Sequence, residues 1–294
     1  MIGIAADERS ALGEGPLWDP RVGRLLWVDI EGGAINTLTP SAGSTRRIEV
    51  GERVGCVGLT RRIDTVVAAL RSGWHWLDLE TGERLRIAPL PAGRSCRFND
   101  GAVDAAGRFW TGTLQDGERN PVGELFQLDR DLSHRVMDRG FLCSNGIAWS
   151  LAERWMFFVD SRRDAVYRYR FDLGTGAIGT RELFIDTGPF PGIPDGIEID
   201  LDGLLWCAFW DGARVVAFDD RGFPRQTIDL PALQPTSVTF GGPDFRTMYV
   251  TSARAGLTAR DLATWPASGA VFEVERQSPG RSANIFGGAP WASQ

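Results

Sequence analysis

Six segments of the chain follow one pattern of polar and apolar residues. Each starts with a head residue, continues through a few partly apolar residues to a turn former, and ends in an aromatic-rich apolar run. The segments are EGPLWDPRVGRLLWVDI from Glu14, CVGLTRRIDTVVAAL from Cys56, NDGAVDAAGRFWTGT from Asn99, NGIAWSLAERWMFFVDS from Asn145, DGIEIDLDGLLWCAFW from Asp195 and TSVTFGGPDFRTMYVTS from Thr236. Strand-forming runs separated by a short turn predict a β-hairpin in each segment.

The six segments share a common register. The fifth residue after the head is Asp19, Arg61, Asp104, Ser150, Asp200 or Gly241. Asp and Ser close tight turns through side-chain-to-backbone hydrogen bonds, and Gly adopts turn angles that other residues avoid. Most segments continue into a further strand-like run, such as GAINTLT or ARVVAFD. No apolar period of 3.6 residues is sustained, and GLTARDLATWP is the best candidate for a short helical turn.

The length of the repeat predicts the fold. The heads lie 41 to 50 residues apart. Repeats of that length, each with about four short strands, are typical of β-propellers. We therefore expect an all-β fold, a six-bladed β-propeller with four-stranded blades, in one domain over residues 1–294. Residues 1–10 are expected to add the outer strand of the last blade and close the ring. An irregular all-β sandwich is the alternative, which six copies in register disfavour.

The heads carry the candidate chemistry. In a propeller, equivalent positions of the innermost strands form a ring around the central axis, and four of the six heads are Glu14, Asn99, Asn145 and Asp195. Carboxylate and amide oxygens gathered at one mouth are costly to desolvate, and a bound cation would offset that cost. Such ligands suit Ca²⁺, Mg²⁺ or Mn²⁺, and with open positions Fe²⁺ or Zn²⁺. Any one Asn or Asp before Gly could instead be a simple turn residue. Cys56, at the same ring, is expected to pack rather than ligate.

Composition excludes several classes of partner. The net charge is −6 and the pI about 5.1, with no basic stripe, so neither nucleic acid nor an anionic membrane is an expected partner. The N-terminal residues lack the basic start and apolar stretch of a signal peptide. The four cysteines contain no C-x-x-C pair, which favours reduced thiols. These features together predict a cytoplasmic protein.

Common catalytic motifs are missing from the sequence. There is no G-x-S-x-G nucleophile elbow, no H-E-x-x-H zinc motif and no Walker A loop, and no G-x-G-x-x-G stretch indicates nucleotide binding. The chain has only two histidines. Serine-hydrolase, zinc-peptidase and nucleotide-dependent schemes are therefore disfavoured.

Several phrases resemble those of one known family. LGEGPLWD, RFNDGAVDAAGRFWTGT, SNGIAWS, PDGIEIDLDGLLW and GGPDFRTMYVTSA occur in the order and context of the gluconolactonase/regucalcin (senescence-marker-protein-like) family. The resemblance covers nearly the whole chain and looks strongest to bacterial sugar-lactone lactonases. It implies a six-bladed propeller with one divalent metal ion in the mouth of the channel.

The resemblance also implies roles for single residues. Glu14, Asn145 and Asp195 would ligate the metal, and Asp195 would in addition be the general base. The substrate would be contacted by Arg97 and Asn99, and by Glu118 only if its loop carries an inserted residue. Taken alone, Arg97 fits a surface ion pair equally well.

The implied function is hydrolysis of a sugar lactone to the aldonic acid. A metal beside the lactone carbonyl would act as a Lewis acid while an activated water attacks. The alternatives are a non-enzymatic propeller that binds a divalent metal or sugar, and a related esterase or phosphotriesterase on the same fold. The expected partner is a small-molecule lactone, and a monomer is plausible because a closed ring leaves no long exposed strand edge.

Overall fold

Each repeated segment folds into the two innermost strands of one sheet, and the run that follows it adds the outer strands. The protein is described by a computed structural model covering residues 1–91 and 95–289. Within those ranges the strands form six sheets, the blades of a propeller. The all-β, six-bladed prediction is confirmed. The inner strands of successive blades contact one another around the ring, and those of blades 6 and 1 close it.

The first strand of the chain is β1 (Ile2–Ala6). Blade 1 contains β2 (Gly13–Asp19), β3 (Arg24–Asp29), β4 (Ala34–Thr39) and β5 (Ser44–Glu49). Blade 2 contains β6 (Val54–Thr60), β7 (Thr65–Leu70), β8 (Gly73–Asp78) and β9 (Arg84–Pro89). Blade 3 contains β10 (Cys96–Val103), β11 (Phe109–Gln115), β12 (Gly123–Leu128) and β13 (His134–Phe141).

Blade 4 contains β14 (Ser144–Trp149), β15 (Trp155–Asp160), β16 (Ala165–Asp172), the short β17 (Ala177–Ile178) and β18 (Glu182–Asp186). Blade 5 contains β19 (Ile193–Ile199), β20 (Leu205–Trp210), β21 (Arg214–Phe218) and β22 (Pro224–Asp229). Blade 6 contains β23 (Gln234–Gly241), β24 (Thr247–Ala253) and β25 (Val271–Glu275). The remaining elements are α1 (Ala259–Thr264), two 3₁₀ turns (Pro40–Ala42 and Ser161–Arg163) and β26 (Ile285–Phe286).

Both ends of the described chain join the ring. Strand β1 pairs with β25 and is the outer strand of blade 6, as expected for the N-terminal residues. The short β26 pairs in parallel with β6 of blade 2. The expected helical turn is α1, which begins with a capping box between Thr258 and Asp261. No helix in the described ranges has both the length and the apolar character needed to cross a bilayer.

The turn residues of the repeat act through their side chains. In blade 3, Asp104 accepts hydrogen bonds from the backbone N–H of Arg108 (3.0 Å), from Arg108 Nε (2.6 Å) and from Trp110 Nε1 (2.8 Å). In blade 5, Asp200 binds Trp206 Nε1 at 2.8 Å. One buried carboxylate therefore fixes the hairpin turn and also holds the ring of the following strand.

The repeated head marks a β-bulge. In all six blades the register between the two inner strands shifts at or next to the head residue. After the heads Asn145 and Asp195, a glycine lets neighbouring inner strands approach closely. A Cβ on Gly146 would lie 2.5 Å from the backbone N of Ile197, and one on Gly196 would lie 2.7 Å from the Cα of Ser237. At Asn145 and Asp195, the glycine after the head therefore allows the close packing of blades 4, 5 and 6 around the axis.

The core is divided among the interfaces between blades. In the described ranges, buried apolar side chains form six clusters, and each joins two neighbouring blades. Cys56 lies in the cluster between blades 2 and 3, which fits the packing role expected for it. Burial of these large apolar surfaces stabilises the ring.

An axial cavity lies along the channel beyond the ring of heads. It is lined by later residues of the inner strands, among them Asp100 and Glu198, and by residues 281–284. Those last residues cross the end of the channel. Arg281 Nη1 donates to the carbonyl oxygen of Trp149 at 3.4 Å, and Asn284 Nδ2 donates to that of Val103 at 2.9 Å. The C-terminal segment thus covers this end of the channel.

Replacing Asp104 by Ala is expected to destabilise the protein strongly. The Arg108 guanidinium is 2% exposed and would lose the carboxylate that neutralises it. Breaking a buried pair by removing one partner costs about 3–5 kcal/mol. Chemical unfolding followed by tryptophan fluorescence measures the loss. Asp202→Ala, at an exposed position of the blade 5 turn, is the control; equal losses in both variants would contradict the argument.

Glu198→Gln is expected to become more stabilising as the pH rises. Burial raises the pKa of Glu198 from its ordinary value of 4.5 to about 7. Between these values the folded chain keeps a proton that the unfolded chain has released, so the wild-type free energy of unfolding falls as the pH increases. Glutamine does not titrate. The Tm difference between variant and wild type should therefore grow from pH 5 to pH 8.

The measurement is thermal unfolding followed by circular dichroism. Glu275→Gln, at an exposed position, is the control and should show no such trend. A Tm difference for Glu198→Gln that stays constant with pH would show that the carboxyl ionises as freely in the folded chain as in the unfolded one.

Candidate active site

All six predicted site residues line one cavity at the ring of heads. The cavity has a volume of about 100 Å³. The six residues are Glu14, Arg97, Asn99, Glu118, Asn145 and Asp195. They come from blades 1, 3, 4 and 5, so only the closed ring brings them together. Their assembly in one place is a finding, and their separate roles stay predictions.

Glu14, Asn145 and Asp195 occupy equivalent places in three blades. They are carried by the inner strands β2, β14 and β19, at or next to the bulge of each strand. A bulge re-aims the side chain that it carries. Glu14 and Asp195 are each 4% exposed and Asn145 is 5% exposed. The three polar groups are therefore held together almost out of contact with bulk water.

The acidic groups in the cavity and directly beside it are hard to ionise together. Burial, with the nearby charge of Asp100, raises the pKa of Glu14 to about 8. Burial raises the pKa of Asp195 well above its usual range, and the charges of Glu14 and Asp100 raise it further. Burial also raises the pKa of Asp100 to about 6. Without a positive charge among them, Glu14 and Asp195 retain protons at neutral pH.

Two buried oxygen atoms fit a cation. Asn145 Oδ1 and Asp195 Oδ1 accept no hydrogen bond from the described residues. The amide nitrogen of Asn145 is 3.1 Å from Ser161 Oγ, which leaves its carbonyl oxygen for another partner. An unpaired buried acceptor costs about 1–3 kcal/mol. Oxygen atoms of this kind are the ligands of hard divalent cations, with water in the remaining positions.

The donor set is small. No group of three or more His, Cys, Asp or Glu side chains with the arrangement of a metal site occurs within residues 1–91 and 95–289. A cation here would have two protein carboxylates and one amide oxygen as ligands, completed by water or substrate. Such a site leaves positions open for a reactant.

Arg97 and Asn99 form a fixed pair at the side of the cavity. Arg97 Nη1 donates to Asn99 Oδ1 (2.6 Å) and to the carbonyl oxygen of Phe98 (3.0 Å). Asn99 Nδ2 donates to the carbonyl oxygen of Ser144 at 2.9 Å, which ties blade 3 to blade 4. Arg97 is 6% exposed. It is therefore an arginine of the cavity wall, and the surface alternative is excluded.

Glu118 reaches the cavity from the loop between β11 and β12. Its backbone has a left-handed φ of 50°, directly after Gly117 at 86°. Its carboxylate pairs with Arg162, in the 3₁₀ turn after β15. Sequence analysis missed Arg162 and Ser161, and also Asp100. The first two follow the second strand of a blade, where the repeat gives no signal. Asp100 was overlooked although it follows Asn99 directly.

Most of the chain matches one known protein family. The model of the SMP-30/gluconolactonase/LRE-like region matches residues 12–254. The chain belongs to this family. The predicted family resemblance is thereby confirmed.

Relatives in this family include enzymes that are named for lactones. A 6-deoxy-6-sulfogluconolactonase of Pseudomonas putida is 41% identical over 282 residues, covering 95% of this chain and 96% of the relative. A pentonolactonase of Haloferax volcanii is 34% identical over 282 residues, with 94% of each chain covered. The crystal structure of a calcium-binding protein, regucalcin, from Agrobacterium tumefaciens superposes with a TM-score of 0.92 at 26% identity, with 96% of each chain covered.

Asp195→Asn is expected to raise the Tm of the protein in the presence of a chelator at pH 8. The pKa of Asp195 is raised in the folded state, so wild type loses stability as the pH rises above the unfolded pKa, and the neutral amide does not. The gain should shrink towards pH 5. Differential scanning calorimetry in EDTA measures it, with Asp202→Asn as the control. A variant less stable than wild type at pH 8 would contradict this electrostatic description.

Proposed function

We propose that this protein is a sugar-lactone hydrolase that depends on one divalent cation. The observation that carries the proposal is the cavity in which two buried carboxyl groups and one unpaired amide oxygen meet Arg97 and Asn99. Relatives covered over nearly their whole length are named as lactonases. The reaction adds water to the lactone carbonyl carbon, breaks the ring C–O bond and yields an aldonic acid.

Glu14, Asn145 and Asp195 would hold the cation. A bound divalent cation would polarise the lactone carbonyl and neutralise the charge that develops on its oxygen. Its positive charge would also lower the pKa values that burial raises at Glu14 and Asp195. The same two carboxylates would then be ionised at neutral pH. The kind of cation is left to experiment, with Ca²⁺, Zn²⁺, Mn²⁺, Mg²⁺ and Fe²⁺ as the candidates.

Asp195 is the proposed general base. Its carboxylate would take a proton from the attacking water and return it to the ring oxygen as the C–O bond breaks. Ligation of a cation lowers the basicity of a carboxylate, so the oxygen of Asp195 that does not bind the cation would take the proton. The carboxylate is oriented by a rigid inner strand.

Arg97 and Asn99 would orient the sugar. One nitrogen of the Arg97 guanidinium, Nη1, donates to Asn99 and to the carbonyl oxygen of Phe98. Its other N–H groups can donate to substrate hydroxyl groups. Glu118 would accept a hydrogen bond from another substrate hydroxyl group at the edge of the cavity, where Arg162 pairs with it. Fixed donors and acceptors of this kind align the carbonyl with the base.

Asp195→Asn is expected to lower kcat/KM for lactone hydrolysis by at least about 100-fold, because a positioned base contributes about 10²–10⁴-fold. Acid release is measured with pentono- and hexono-lactones after subtraction of spontaneous opening. The protein is first stripped of metal and then resupplied with each candidate ion singly. Activity should vanish on stripping and return with at least one ion. Asp202→Asn is the matched control.

Two results would overturn the proposal in different ways. Full activity of the protein stripped of metal would show that hydrolysis requires no cation. Cation binding by calorimetry without turnover of any lactone would favour a calcium-binding propeller, the property named for the Agrobacterium structure. Turnover of simple esters or phosphotriesters in preference to lactones would favour a different hydrolase on the same fold.

A further inference from the structure

A further cavity, distinct from the axial one and open to solvent, adjoins the candidate active site. Its volume is about 420 Å³, and it shares Arg97 and Glu118 with the active-site cavity. We refer to its remaining charged residues as the annex. The annex consists of Glu31, Arg53, Arg71 and Asp116. Any molecule that extends from the active site past Arg97 enters it.

Three guanidinium groups converge on one carboxylate at the annex. Asp116 Oδ1 lies 2.8 Å from Arg53 Nη1 and 3.8 Å from Arg97 Nε, and Asp116 Oδ2 lies 3.0 Å from Arg71 Nη2. Each guanidinium carries five N–H donors. A single carboxylate cannot engage three such groups fully. Donors therefore remain for a second anion.

The arginines lie in a strand or at the ends of strands. Arg53 directly precedes β6 and Arg71 directly follows β7, and the backbone N–H of Arg71 donates to the carbonyl oxygen of Arg53 at 2.9 Å. Arg97 lies in β10. Asp116 instead follows β11 in the loop that continues through Gly117 and Glu118, both with positive φ. The arginines and Asp116 are therefore all positioned by strands or by strand ends, and the loop that carries Glu118 begins at Asp116.

The charged side chains of this cavity are equal in number. Three guanidinium groups (Arg53, Arg71 and Arg97) face three carboxylates (Glu31, Asp116 and Glu118). Glu31 and Asp116 both pair with Arg53, and Glu118 pairs with Arg162 outside this lining, so Arg71 and Arg97 have only the shared carboxylate of Asp116 as an ion-pair partner among the described residues. The pairs are partly exposed, so each contributes little to stability. Partial exposure also leaves the guanidinium groups accessible to a ligand.

Arg97 connects the two cavities. Its Nη1 holds Asn99 on the side of the active site, and its Nε faces Asp116 on the side of the annex. A lactone ring whose carbonyl lies among the heads would therefore direct its far end past Arg97 towards Arg53 and Arg71. Planar guanidinium groups bind sulfonate, phosphate and carboxylate groups through paired hydrogen bonds.

We propose that the annex binds an anionic group at the far end of the lactone, so that the preferred substrate is an aldonolactone with a sulfonate, phosphate or carboxylate on its terminal carbon. This inference rests on the proposed lactone hydrolysis. In it, Arg71 and Arg53 recognise the anion, and Asp116 competes with the substrate for the same donors.

The experiment compares neutral and anionic lactones of the same ring. It measures kcat/KM for glucono-δ-lactone and for its 6-phospho, 6-deoxy-6-sulfo and 6-carboxylate counterparts, each corrected for spontaneous opening. The ratio of anionic to neutral kcat/KM should exceed one in wild type. Arg71→Gln should lower that ratio about tenfold, the effect of losing roughly 1.4 kcal/mol. The anion with the largest ratio identifies the group that the annex recognises.

Asp116→Asn should change the ratio in the opposite direction. It removes the carboxylate that competes for the arginines, so the ratio should rise several-fold. Increasing salt should lower the wild-type ratio, because exposed charges are screened. Arg84→Gln is the matched control, since Arg84 is also a partly exposed arginine of blade 2 and pairs with Glu52 at 2.6 Å. Circular dichroism checks that every variant is folded.

The outcomes separate this inference from the proposed function. Hydrolysis of neutral lactones with a ratio of one or less, or a ratio that neither Arg71→Gln nor Asp116→Asn changes, would overturn the anion site and leave the lactonase intact. Hydrolysis of no lactone would overturn the proposed function and this inference with it.

Discussion

The close approach of the inner strands at the axis is the constraint on which the structure depends. Gly146 and Gly196 leave no room for a Cβ, since one would lie 2.5 Å from Ile197 N or 2.7 Å from Ser237 Cα. The six bulges lie at the same level of the ring. Because glycine permits this contact in blades 4 and 5, Asn145 and Asp195 are placed at the mouth of the channel.

That placement gathers groups that would otherwise repel one another. Glu14 and Asp195 are held side by side with raised pKa values, and buried oxygen atoms at Asn145 and Asp195 have no hydrogen-bond donor among the described residues. Burial of apolar side chains at the interfaces between blades stabilises the fold and offsets the free-energy cost of gathering these polar groups. The stability of the ring and the reactivity of the site are therefore set by different parts of the same strands.

The sequence predicted what the repeat carries and little beyond it. The spacing of the repeat predicted the blades. It also predicted the turn carboxylates such as Asp104 and the heads Glu14, Asn145 and Asp195, because these positions recur at fixed offsets within each repeat. Arg162 and the annex arginines have no counterpart in other blades. Their proximity to the site depends on the closed ring, in which blade 2 adjoins blade 3, and spacing along the chain does not encode that distance.

Ring closure also governs how the protein acquires its structure. Ile2 pairs with Val274, so the outer edge of blade 6 stays open until nearly the whole chain has left the ribosome. Pairing between such distant residues is slow, since loop closure must precede any gain from contact. Blades 1 to 5 can form their hairpins in order of synthesis, whereas the site, which spans blades 1 and 5, becomes complete only when the two ends of the chain meet.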